Sequence, residues 1–112
     1  MTVRRERVES FSVPLEKICE GVVQVLRGGR WYYSYADTTW SDDGLTADTR
    51  IKPKWWTLLL STRMRIVLQA TEAGCTVSAQ TESQSYVRGD VFGCYQRLLD
   101  DFFAALGSKF SW

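Results

Sequence analysis

The sequence predicts an α+β domain of order β-α-β-β-β-β-α, a five-stranded antiparallel sheet with two helices packed on one face. Three observations predict it. Two apolar stripes at helical spacing lie near the ends of the chain. A long period-two alternation, broken once by a turn, occupies its middle. The intervening strands are joined by short turns, too short for parallel crossovers. The whole of 1–112 reads as one domain, with 107–112 as a loose C-terminal tail. At this length roughly 65% of the unfolded chain's surface can be buried, enough for a core without metals or disulfides.

The elements follow in order. Residues 4–12, RRERVESFS, read as a strand. Ser12-Val13-Pro14 starts a helix with Pro14 in its first turn, where the missing N–H costs nothing. Leu15, Ile18, Cys19, Val22, Val25 and Leu26 then share one stripe, and Gly28-Gly29 ends the helix through a left-handed cap. RWYYSYA at 30–36 alternates as a strand, with Trp31, Tyr33 and Tyr35 on one face. DTTWSDDG reads as a loop turning at Asp43-Gly44. LTADTRIK forms the next strand, with Ala47, Thr49 and Ile51 on one side, and Pro53 ends it.

From 55 to 70 parity is the clearest signal. Even positions are Trp56, Leu58, Leu60, Thr62, Met64, Ile66, Leu68 and Ala70; odd positions are the mostly polar Trp55, Thr57, Leu59, Ser61, Arg63, Arg65, Val67 and Gln69. One face is therefore buried. Sixteen residues is long for a strand, so a bulge or bend near Leu60–Thr62 is expected, or a loop over the first part. EAGC at 72–75 is a hairpin turn, and TVSAQTESQ is the last strand, with Val77, Ala79 and Thr81 together. Asp90 is the expected N-cap of the closing helix. Its stripe of Val91, Tyr95, Leu98, Phe102 and Ala105 is widened by Phe92, Leu99, Phe103 and Leu106. That width predicts a helix over the middle of the sheet, ending at Gly107. The expected strand order is 2-3-4-5-1.

Composition excludes some functions. The chain has no histidine, so it lacks the commonest general base and metal ligand. Its three cysteines, Cys19, Cys75 and Cys94, are widely spaced; they read as buried thiols of a cytoplasmic protein rather than a disulfide framework. Asp42-Asp43 and Asp100-Asp101 are sequence neighbours whose side chains diverge. No phosphate-binding glycine loop or metal-ligand spacing occurs. The expectation is no enzyme, no cofactor and no metal. The N-terminus has no apolar run of a signal peptide, and no stretch is long enough to span a membrane.

The net charge of +1 leaves nucleic acid open on global grounds. Arg50–Arg65 holds five basic residues and no acid; Asp37–Asp48 holds four acids and no base. The two segments read as neighbours that neutralise each other, with Arg65 paired across to Glu82. Lys52, Lys54, Trp55, Leu59, Arg63 and Arg65 form the candidate interaction surface, for a second copy or a protein partner. A membrane-surface tip at Trp55 and Leu59, or single-stranded nucleic acid on the basic face, are the other readings of those residues. Trp31, Tyr33, Tyr35, Trp56 and Tyr95 are candidates to line an aromatic ligand cavity beneath the closing helix. The leading function is a small non-catalytic binding or interaction module that self-associates. A small-molecule or lipid carrier is the alternative.

The run MRIVLQATEAGCTVSAQTESQ followed by GDVFGCYQRLLDDFFAAL resembles a group of small uncharacterised bacterial domains. In these, two late strands lead through a serine-rich segment, here Thr81, Ser83 and Ser85, and an Asp-x-x-Gly-like step, here Asp90 and Gly93, into the closing helix. The element order also looks like a reduced form of the helix-grip fold of Bet v 1-like proteins. That resemblance implies a long last helix across a curved antiparallel sheet. The chain lacks the extra strands and the second short helix of the full-length fold.

Overall fold

The computed structural model describes residues 2–30, 33–53, 62–84 and 94–110. Its elements are β1 (Thr2–Phe11), α1 (Leu15–Arg27), β2 (Gly29–Arg30), β3 (Tyr33–Trp40), β4 (Thr46–Pro53), β5 (Thr62–Thr71), β6 (Gly74–Gln84) and α2 (Cys94–Ser108). The strands form one antiparallel sheet, β1-β6-β5-β4-β3-β2. Five long strands carry it in the expected order, and β2 adds two residues beside β3. The first strand lies beside the last in unbroken register, from Thr2 opposite Gln84 to Phe11 opposite Cys75.

Alternation decides the faces. On β5, Thr62, Met64, Ile66 and Leu68 are buried and Arg63, Arg65, Val67 and Gln69 are exposed, as their parity predicts. Cys75, Val77, Ala79 and Thr81 of β6, and Ala47, Thr49 and Ile51 of β4, join the buried side. Ile18 and Val22 of α1, with Leu98, Leu99, Phe102, Phe103 and Leu106 of α2, are fully buried in the same core. Both helices therefore cover one face and leave the other open. Covering a sheet on one side is what an alternating antiparallel pattern allows.

Several expectations are corrected. The closing helix does not lie over the middle of the sheet: α2 packs on β1 and β6, while α1 packs on β3, β5 and β6. The edge strand β1 turns Arg7 and Glu9 toward the helices, and α2 covers them. Arg7 bonds Glu9 and reaches Asp100 of α2 at 2.9 Å, and its guanidinium lies 5.1 Å from the Phe103 ring centre. That cation–aromatic contact seats α2 at the edge. Gly107 does not end α2, which runs to Ser108, and the tail is not loose up to Phe110. The Phe110 ring meets Phe11 edge-on at 6.4 Å and abuts buried Gly21 of α1.

At α1, Pro14 is the N-cap rather than a first-turn residue, and its carbonyl accepts from Lys17 and Ile18. Gly28 closes the helix at φ −94°, outside the left-handed region, and donates to Val25. Strand β3 does not stop at Ala36 but continues to Trp40 through a bulge between Ala36 and Thr39. Asp37 sits in that bulge at φ +53°, paired with Arg50 at 2.8 Å. The loop is confined to 41–45, where Ser41 and the Leu45 amide bond the Asp43 carboxylate. Those bonds hold the Asp43 carboxyl below its ordinary range. The first part of the predicted long strand, 55–61, and the expected N-cap Asp90 lie outside the described residues.

Gly74 opens β6 at φ +149°, where a Cβ would sit 2.1 Å from the Phe11 carbonyl oxygen. The neighbour is backbone and cannot yield cheaply. Gly44, at φ +71°, has nothing within 4 Å of a built Cβ. Gly74→Ala is expected to cost about 2–4 kcal/mol, lowering Tm by roughly 10–20 °C. Gly44→Ala costs about 1 kcal/mol from backbone strain alone. Thermal melts of both check this; a Gly74→Ala melt as mild as that of Gly44→Ala refutes the close passage of β1.

Candidate functional site

The apolar stripe of α1 is wider than its buried ridge. Ile18, Val22, Val25 and Leu26 enter the core, while Cys19, Glu20, Val23, Gln24 and Arg27 line a flank beside it. These five recur over two turns, a wall about 12 Å long. Trp40 and Gly44, from the end of β3 and the 41–45 loop, form the opposite wall. Between them lies an open groove of about 480 Å³. Its floor is Val23, half-buried Cys19 and half-buried Trp40; its rim is Glu20, Gln24 and Arg27. Gln24 is held by Lys109, whose ammonium donates to its carbonyl oxygen at 3.1 Å.

The bulge in β3 makes this wall. Ala36 faces Arg50 and Thr39 faces Asp48, so β3 uses one more residue than β4 across that step. Parity therefore inverts. Trp40, at an even position, comes to the same side as odd-numbered Tyr33 and Tyr35, opposite small Ala47. Read as part of a loop, Trp40 is invisible as a site residue. The signal that it belongs to a strand is the Thr-Thr-Trp run before Ser41-Asp42-Asp43-Gly44.

Cys19 brings a thiol to the groove. Burial, with the charge of Glu16 nearby, pushes the Cys19 thiol up. Burial and the neighbouring Cys19 do the same to Cys75. Both thiols are free and remain protonated at neutral pH. Among the described residues no cluster of three Cys, Asp or Glu could hold a metal ion.

The residues expected to line an aromatic cavity are brought together in part. Tyr33 is 1% exposed, and its ring meets half-buried Tyr35 edge-on at 5.6 Å. Trp31, Trp56 and the Tyr95 side chain lie outside the described residues. Of the expected interaction surface, Lys52, Arg63 and Arg65 are exposed on the uncovered face, while Lys54, Trp55 and Leu59 lie outside the described residues. The basic and acidic segments do neutralise each other, but with different partners. Arg65 bonds Asp48 at 3.0 Å, and Arg50 bonds Asp37. Glu82 stands opposite Arg63, not Arg65, and pairs with Arg4 at 3.2 Å.

No family model matches the chain, and no curated protein is similar to it. Solved structures share its fold. Protein MLL2253 from Mesorhizobium loti superposes with a TM-score of 0.65 at 15% identity, over 96% of this chain and 95% of its own. Protein CV1439 from Chromobacterium violaceum gives 0.58 at 9% identity, over 94% and 95%. An uncharacterized protein from Rhizobium leguminosarum gives 0.54 at 11%, over 95% and 92%. The chain thus shares its fold with proteins from these three bacteria. Among the described residues no helix is long and apolar enough to cross a membrane.

The thiol environment makes a prediction. At pH 7.5, iodoacetamide is expected to alkylate Cys19 several-fold more slowly than the same cysteine in unfolded protein, with the rate climbing above about pH 9. Peptide mass mapping separates the three cysteines. Rapid, pH-independent labelling of Cys19 near neutrality contradicts a protonated thiol.

Proposed function

We propose that the protein is a non-catalytic binding domain whose ligand is a small, largely apolar molecule held in the groove between α1 and the end of β3. One observation carries this reading: a half-buried tryptophan, Trp40, faces the Val23 flank of α1 across an open groove of about 480 Å³. That volume is in the range of small-molecule sites, and the mix of apolar floor and sparse polar rim is their usual make-up. Missing histidine and protonated thiols support binding without chemistry. Free Cys19 and Cys75 suit a reducing, cytoplasmic setting. A reduced helix-grip reading of the fold is supported by the first strand lying beside the last and by the closing helix packed on the sheet.

Self-association through the open face is the second reading. It is supported by Val8 and Val67, 51% and 40% exposed, which flank Ser78 in one cross-strand row. Single-stranded nucleic acid is less well supported, because Arg4, Arg50 and Arg65 of that face already have carboxylate partners.

The groove reading predicts that the neutral dye N-phenyl-1-naphthylamine binds the wild-type protein at one site and that Val23→Arg weakens it about tenfold or more. Val23 is only half-buried, so the variant's Tm should stay within a few degrees of wild type. Equal affinity in a folded Val23→Arg variant places the ligand elsewhere. Sedimentation of Val67→Lys tests the second reading, since a dimer built on this row should dissociate.

A further inference from the structure

Among the described residues the helix-covered face holds three buried polar side chains: Thr49, Thr62 and Thr81. Thr49 is satisfied, donating to the Ala36 carbonyl at 3.2 Å and sharing a bond of 2.9 Å with Thr38. Thr62 and Thr81 differ. Both are 0% exposed, and neither Oγ1 has a hydrogen-bond partner among the described residues. A buried hydroxyl without a partner costs stability, and valine would fill the same shape at no such cost. Threonine's fitness for strands explains one such residue, since valine shares it; it does not explain two orphaned hydroxyls side by side.

They are side by side by register. Thr62 faces Ser83 and Thr81 faces Met64, so the two threonines are diagonal neighbours on one face of β5 and β6. Such positions stand roughly 7–8 Å apart, with the Cβ atoms closer. One oxygen about 2.8 Å from each hydroxyl spans that separation. The site is distinct from the groove: Trp40 lies in the row of Ala47 and Ile66, four residues along β5 from Thr62.

We infer that Thr62 and Thr81 form a second binding site, which takes the hydroxyl or carbonyl oxygen of a small neutral ligand. The hydroxyls both donate and accept, so either oxygen type fits. Neutrality follows from burial. An ionised group against two wholly buried, uncharged side chains beside Met64 loses its hydration without a counter-charge. The nearest cation in register, Arg5 opposite Thr81, holds its guanidinium at the exposed edge of β1, where it donates to the Arg4 carbonyl at 2.9 Å.

Isopropanol is the probe, with acetate as the charged control. The Met64 methyl, fully buried opposite Thr81, reports occupancy by NMR. In the wild type its resonance should shift saturably with isopropanol and stay still with acetate. In Thr62→Val/Thr81→Val the isopropanol affinity should fall roughly tenfold, and the unliganded protein should melt a few degrees higher. Thr62→Ser, which keeps the hydroxyl, should retain binding. The proposal is overturned if isopropanol shifts Met64 equally in wild type and double variant, or if acetate rather than isopropanol saturates. It is equally overturned if a crystal structure soaked in isopropanol shows only a water between the two hydroxyls.

Discussion

The pairing of β1 with β6 is the constraint on which the rest of the molecule depends. It joins the two ends of the sheet-forming chain across the full length of β1, a contact between residues more than sixty positions apart. Bringing such distant segments together costs closure entropy that local hairpins avoid. The pairing recovers it through an unbroken ladder that starts where Gly74 slips beneath the Phe11 carbonyl. Because side chains alternate, a one-residue slip would turn Phe11 out of the core and bring exposed Val8 in. Register here therefore decides which face is greasy, and with it where both helices settle.

That edge also explains the position of α2. A free edge strand invites another chain, and inward-pointing charge is one way to discourage it. Arg7 and Glu9 lie on the helix side of β1, and Asp100 and the Phe103 ring of α2 meet Arg7 there. The helix thus covers the least apolar strand of the sheet, while α1 takes the middle. The width of its apolar stripe comes instead from its need to fill space against both β6 and α1. Gly21 permits the closest approach of the tail to α1, its missing side chain leaving room for the Phe110 ring.

Much of this was legible in residues alone because it rests on local periodicity. The even positions of 62–68, the Val77-Ala79-Thr81 face and the Ile18-Val22-Val25 ridge each bury as their spacing demands. What was not legible depends on geometry between strands. A bulge inverts the parity of β3, and nothing in Ala36-Asp37-Thr38-Thr39 announces it except an aspartate that tolerates positive φ. Sequence pattern alone therefore leaves Trp40 in a loop and not in the wall of the groove. The partner of Arg65 differs from expectation for a similar reason: register places Asp48 and Gln80 beside it, and of the two only Asp48 is charged. Of the five residues expected to line an aromatic cavity beneath the closing helix, the two whose side chains are described pack on each other.

The threonines show a different kind of blindness. Thr62 and Thr81 sit at core positions of perfectly regular alternation, so a pattern of faces finds them, and strand preference then explains them away. Only burial combined with a hydrogen-bond count separates them from Thr49, which has the same residue type, the same face and full satisfaction. The centre of the face, from Ile66 through Ala79 to Phe102, is wholly apolar and supplies the cohesion of the core. The polar pair lies beyond that centre along β5 and β6, and Trp40 of the groove ends the Ile66 row at β3. A fold of this size has little stability to spare, so departures from a sealed apolar core are the places where its function should be sought.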